Sequence, residues 1–270
     1  MEKRPGNGRA IVLLVSTGIL FFPFLWGLFE GVGKVAIYLS MLLLIAAVNV
    51  LVVTKGFRRL ASLLFFDILF LFYPYCLWQG KVIPYTFPGI LYAAPVLIYL
   101  GIVLPARPLR ITVTWFRVGR IDIVITLLIL SVSSLSAAGL TGWVAVTRPD
   151  LEGFLAFIPP YPPMVLVLGG LGFALSNGFV EELIFRAVLW DVLNEAFSRA
   201  IATTLVQALF FGLWHWRGFP GGPSGMMLVF IWGLFLGWIR RRSGGMLAPF
   251  ICHVCADLTI FAILAVLSQR

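Results

Sequence analysis

Residues 246–267 read MLAPFICHVCADLTIFAILAVL, a run without a single Lys, Arg or Glu. As a helix it extends about 33 Å, close to the ~30 Å thickness of a bilayer's hydrocarbon core. It therefore reads as a membrane span. Yet it contains His253 and Asp257, spaced i, i+4 so that both lie on one helical face. Ionisable groups inside a membrane are costly and usually mark function.

The rest of the chain supports this reading. Of 270 residues, 61% are hydrophobic and 11% charged, with a mean hydropathy of +1.03. A soluble domain carries about 25% charged residues. No water-soluble fold of this length could hide so much apolar surface. The expected fold is all-α, a polytopic membrane bundle. Nine spans are predicted, at 11–29, 35–54, 61–78, 88–105, 121–146, 165–190, 200–216, 225–239 and 246–267, with eight as the alternative count. The first follows Lys3, Arg4 and Arg9 but is too long for a signal peptide and lacks a small-residue cleavage site, so it reads as retained.

The positive-inside rule tests the count. With a cytoplasmic amino terminus, nine spans place Lys3, Arg4, Arg9, Lys55, Arg58, Arg59, Arg107, Arg110, Arg117, Arg120, Arg199, Arg240, Arg241 and Arg242 inside. Only Lys34, Lys81, Arg148, Arg217 and Arg270 fall outside, and Arg186 lies within a span. The net charge of +9 thus records topology and contact with anionic headgroups. It forms no basic stripe and no RNA-binding motif, which argues against nucleic acid as a partner. The cysteines Cys76, Cys252 and Cys255 all fall in spans. An odd count placed there is no disulfide framework, and the C-x-x-C of Cys252 and Cys255 reads as small apolar packing residues.

Polarity is unevenly distributed. Residues 1–146 hold five spans of unassigned role with little intramembrane polarity apart from Asp67. Residues 165–267 hold four spans and nearly all the buried ionisable groups. The Pro-rich link 147–163 (TRPDLEGFLAFIPPYPP) is expected to be irregular and to lie at the outer surface.

Within the second half, Glu182 and Arg186 are spaced i, i+4 and predict an ion pair that offsets the cost of burying either charge. Glu181 has no such cation on its own helix, only Asn177 four residues before it, a hydrogen-bond donor. A buried carboxylate without a local counter-charge is suited to act as a general base. In Phe211-Gly-Leu-Trp-His215-Trp216, the histidine stands near a span end among interfacial tryptophans. At 1.5 Å per residue, Glu181, His215 and His253 all reach roughly 12 to 18 Å below the cytoplasmic surface, deep enough to converge.

Together, Glu181-Glu182-x-x-x-Arg186, Phe211-x-x-x-His215 and His253-x-x-x-Asp257 resemble the EExxxR, FxxxH and HxxxN/D motifs of the CAAX protease and bacteriocin-processing family, which includes the type II CAAX prenyl endopeptidases. The resemblance covers about 165–267. It implies a four-helix catalytic core and an intramembrane protease in which Glu181 and His215 activate water, while His253 and Asp257 serve the oxyanion. Glu182, Arg186 and Phe211 then become structural support. Prenyl endopeptidases typically have asparagine where this chain has Asp257. An ionised carboxylate cannot donate to an oxyanion, so Asp257 is expected to orient His253.

The same four residues, Glu181, His215, His253 and Asp257, could also ligate zinc. The resemblance favours a glutamate mechanism and no cofactor. The competing class is a non-catalytic membrane scaffold or bacteriocin self-immunity protein. The expected partners are the lipid bilayer and a membrane-anchored protein or peptide, processed at its carboxyl terminus or sorting signal. The expected location is the bacterial inner membrane.

Overall fold

The computed structural model describes residues 33–54, 60–79, 88–156, 158, 161–197 and 199–269. The expected span 11–29 lies outside them, as do Lys3, Arg4, Arg9, Lys55, Arg58, Arg59, Lys81, Arg270 and the Cys76 side chain.

Among the described residues every regular element is helical. The long ones are α1 (Gly33–Thr54), α2 (Leu60–Gln79), α3 (Pro88–Val103), α4 (Ile123–Thr147), α5 (Pro163–Glu182), α6 (Ala200–Trp214), α7 (Gly222–Ser243) and α8 (Leu247–Ser268). The helical path of α5 continues through a π-helical segment, Leu183–Leu189, into Trp190–Ala196. These elements stand where the second to ninth spans were expected. Four are long and apolar enough to cross a membrane: Ile123–Thr147, Pro163–Ala196, Gly222–Ser243 and Leu247–Ser268. Their outward faces stay apolar, with Leu127, Leu130, Leu135, Leu168 and Val266 exposed. Water would penalise such a surface and lipid does not. The protein is an integral membrane protein.

Local chemistry sets the helix ends. Asp122 caps α4 by accepting the Ile125 N–H at 2.9 Å. Pro163 opens α5, where a missing N–H costs nothing. Gly244, at φ +71°, closes α7 by donating its N–H to Arg240 O.

The described residues fall into two compact units, one within Met1–Pro84, Leu91–Thr114 and Val188–Thr203, the other within Tyr85–Ile90, Trp115–Ala187 and Thr204–Arg270. In the first, Asp67 accepts a hydrogen bond from Asn49 Nδ2 at 3.1 Å, which gives that intramembrane carboxylate a polar partner. Asp191 is buried there too, accepting the N–H and the hydroxyl of Thr114.

The second unit carries the motifs. Ile125, Ile129 and Val132, one stripe of α4, pack on Leu236 and Ile239 of α7 and on Ala248 and Cys252 of α8. Cys252 is buried as a packing residue and Cys255 is half-buried; both are free thiols. Within the link 147–163, Glu152–Leu155 form one helical turn, and Leu151 and Ile158 bury against Phe219 and Leu264. Small residues let the helices approach closely. A Cβ on Gly170 would lie 2.7 Å from the Phe261 ring, and one on Gly178 would lie 3.7 Å from His253 Cβ. Gly178 thus lets α8 bring its histidine and aspartate against α5.

A further lock joins the segment before α4 to the α7–α8 turn. Arg120 N donates to Ser243 O at 2.9 Å, Met246 N to Arg117 O at 2.8 Å and Leu247 N to Val118 O at 3.1 Å. The backbones pass so closely that a Cβ on Gly245 would lie 2.0 Å from Gly119 N.

Candidate active site

Asn177, Glu181, Glu182 and Arg186 occupy successive turns at the end of α5 and the start of the π segment, and they face His253 and Asp257 of α8. The predicted ion pair is present: Arg186 Nη1 lies 3.0 Å from Glu182 Oε1, both side chains fully enclosed. The Arg186 guanidinium also sits 4.0 Å above the Phe211 ring, so the phenylalanine of the second motif supplies a π face to the arginine of the first. Asn177 Nδ2 donates to Glu181 Oε1 at 3.2 Å, as the spacing predicted.

Glu182 does more than pair with Arg186. Its Oε1 accepts a hydrogen bond from His253 Nδ1 at 2.7 Å. His253 Nε2 lies 3.4 Å from Glu181 Oε2 and 3.8 Å from Asp257 Oδ2. One imidazole is thus held between neighbouring carboxylates, which a π segment beginning right after Glu182 accompanies. Such segments recur at functional sites.

This geometry changes the expected role of Asp257. The i, i+4 spacing places it beside His253, but at 3.8 Å it is beyond hydrogen-bond range. The group that orients the imidazole is Glu182. Asp257 Oδ2 instead accepts from Asn177 Nδ2 at 3.2 Å. Asn177 therefore bridges Glu181 and Asp257, a link across helices that intrahelical spacing could not reveal.

His215 stands just past the end of α6, on the single 3-10 turn His215–Arg217. Its Nδ1 is 2.9 Å from Phe211 O. A carbonyl only accepts, so Nδ1 carries the proton and Nε2 of the neutral ring presents a lone pair. No hydrogen bond or ion pair joins His215 to Glu181, although the two are near enough to sense each other's charge. The imidazole within ion-pair distance of Glu181 is His253. Phe211 connects the two histidines, its ring centroid 4.8 Å from His215 and 6.0 Å from His253, while Trp232 closes on His253 at 4.9 Å.

The four residues that could ligate zinc do not form a cradle. Among the described residues no group of three or more His, Cys, Asp or Glu side chains is arranged to hold a metal ion. Each His253 nitrogen already faces a carboxylate. An apolar cavity of about 240 Å³, lined by residues that include Trp115, Phe179, Leu183 and Phe250, reaches Glu182, whose Oε2 has no hydrogen-bond partner.

The site therefore offers two carboxylates in different circumstances. Glu182 is tied by one oxygen to both Arg186 and His253, whereas Glu181 is held only by a neutral amide and a longer contact to His253. Such a pair suits one group for scaffolding and the other for proton transfer.

No curated protein and no solved structure matches the chain. A family model does, under the description type II CAAX prenyl endopeptidase Rce1-like, and its match runs from the first turn of α5 to the middle of α8. Residues 163–259, which hold all three motifs, match this Rce1-like model of a membrane protease family.

Proposed function

We propose that the protein is an intramembrane endopeptidase of glutamate type that hydrolyses a peptide bond of a membrane-anchored protein or peptide. The observation that carries this is the contrast between Glu182, locked to Arg186 and His253, and Glu181, left facing Asn177 and His253 Nε2. In this reading Glu181 and the Nε2 lone pair of His215 hold a water between them, and Glu181 takes its proton. A gap bridged by one water is within the reach of a general base.

Attack on the carbonyl carbon places negative charge on the carbonyl oxygen. His253, protonated on both nitrogens in this scheme and fixed in direction because Nδ1–H is tied to Glu182, donates its Nε2–H to that oxygen. Glu181 then returns its proton to the leaving amine nitrogen as the C–N bond breaks, giving a carboxylic acid and an amine. Asn177 and Asp257 position Glu181. No metal takes part in this scheme. The apolar cavity ending at Glu182 would receive the greasy part of the substrate beside the scissile bond.

The residues 165–267 then form the catalytic core. The excess of basic residues between spans favours nine spans with a cytoplasmic amino terminus, and a bacterial inner membrane is the location proposed. Carboxyl-terminal or sorting-signal processing is the corresponding role.

The test is Glu181→Gln, nearly isosteric. Carboxyl termini of membrane and surface proteins are mapped in cells making wild-type or variant protein at equal level. Termini that depend on Glu181 are the expected result; identical termini would overturn the proposal.

A further inference from the structure

Arg240 was counted above as one of three consecutive cytoplasmic charges, yet its side chain behaves unlike a loop charge. It is only 4% exposed, and its Nε donates to the main-chain carbonyl of Arg186 at 3.1 Å. Arg186 O lies in the π segment Leu183–Leu189, directly after the two glutamates. In a π segment the backbone pairs i→i+5 in a wider turn than the α-helix, and Arg240 Nε adds a buried side-chain donor to one of its carbonyls.

The donor is rigidly mounted. Arg240's own carbonyl accepts the N–H of Gly244, the left-handed residue that ends α7, and the hydroxyl of Ser243. The turn that follows is locked to residues 117–120 by the three backbone hydrogen bonds already described. Arg186 is consequently held twice: its side chain by Glu182 and the face of Phe211, its backbone by Arg240.

We infer that Arg240 is a positioning residue for the catalytic centre, one that fixes the π segment and thereby the direction in which Glu181 and Glu182 meet His253. It touches no reacting atom. Its removal lets the segment relax toward regular α-helix, which turns the Glu182–Arg186 pair relative to α8 and loosens the imidazole. The consequence for turnover rests on the protease reading above, but the consequence for His253 does not.

The chain has two histidines, so protein labelled with 15N-histidine gives two imidazoles to follow. Wild type, Arg240→Met and Arg240→Lys are compared in lipid nanodiscs, with His215→Gln assigning the signals, alongside thermal unfolding and cleavage of a library of acyl-tethered fluorogenic peptides. The expected result for Arg240→Met is a His253 signal displaced from its hydrogen-bonded position with the His215 signal unchanged. Turnover (kcat) should fall about 10- to 100-fold while KM moves by less than about threefold, the size of effect seen when a supporting hydrogen bond is lost. Lys, still a donor though a differently shaped one, should restore part of both. If Arg240→Met does not fold, Arg240→Lys carries the test through the same His253 displacement at smaller amplitude. A folded variant with an unchanged His253 signal would overturn the inference, as would equal displacement of both histidines. Absence of cleavage by wild type would count against the protease reading and leave the histidine result standing on its own.

Discussion

A single oxygen, Glu182 Oε1, lies 2.7 Å from His253 Nδ1 and 3.0 Å from Arg186 Nη1. One carboxylate thus ties the third motif to the first. Removing its charge should strand a buried arginine, which typically costs about 3 to 5 kcal/mol. Glu182→Gln is therefore expected to unfold at markedly lower temperature in detergent. Glu181→Gln, which keeps an oxygen to accept from Asn177 and loses only the charge 3.4 Å from His253 Nε2, should stay within about 1 kcal/mol of wild type. Thermal unfolding of both variants, side by side, checks the difference, and equal melting would contradict the division of labour between the glutamates.

His215 makes a different prediction, since its Nδ1 proton is committed to Phe211 O. In 15N spectra it should appear as the Nδ1–H tautomer. His215→Ala should retain the fold, at a cost of about 1 kcal/mol for one hydrogen bond, yet reduce turnover by roughly 10²- to 10⁴-fold. A variant with full activity would remove His215 from water activation.

Asp257 receives Asn177's amide and stands out of hydrogen-bond range of His253. Asp257→Asn presents the same acceptor through its amide oxygen, so activity should stay within about tenfold of wild type. Asp257→Ala removes it and should fall further, toward the hundredfold end of what outer contacts contribute. Steady-state rates for the two variants decide the matter; an alanine variant as active as the asparagine one would show that the acceptor does not matter.

The interlocked glycines give a prediction about stability alone. A methyl on Gly245 would lie 2.0 Å from Gly119 N and 2.2 Å from Val118 O, all rigid backbone. Gly245→Ala must part the two segments and break their hydrogen bonds. A loss of at least about 1 to 3 kcal/mol is expected from overpacking, visible as a lower unfolding temperature. Gly142→Ala, where a Cβ would meet nothing within 4 Å, is the matched control and should melt like wild type.

Metal dependence can be checked on the purified protein. With His253 engaged by carboxylates at both nitrogens, chelation is expected to leave turnover unchanged. Elemental analysis showing stoichiometric metal, coupled to loss of activity on its removal, would replace the glutamate mechanism with a metal-assisted one.

Much of this site could be read from spacing. The Glu182–Arg186 pair and the Asn177–Glu181 hydrogen bond are i, i+4 relationships on one helix, and one-dimensional periodicity encodes them directly. The apolar runs likewise announced the helices, because a membrane span must satisfy its backbone within itself. What stayed hidden involves two helices at once. His253 meeting Glu182, Asn177 reaching Asp257 and Arg240 reaching Arg186 O all depend on how α5, α7 and α8 cross, which is set by packing at Gly178 and its neighbours. The π segment was invisible for a different reason: LIFRAVL contains no Pro or Gly to flag it, and its wider turn is sustained by partners remote in sequence.

That wider turn also constrains the length of the gene product. Because Leu183–Leu189 contains the extra residue of a π turn, deleting one residue there would restore regular helix and rotate everything after Leu189 by about 100°. Arg186 O, inside the segment, would leave the position at which Arg240 Nε reaches it. The number of residues in this segment is therefore a fixed measure, intolerant of insertion or deletion.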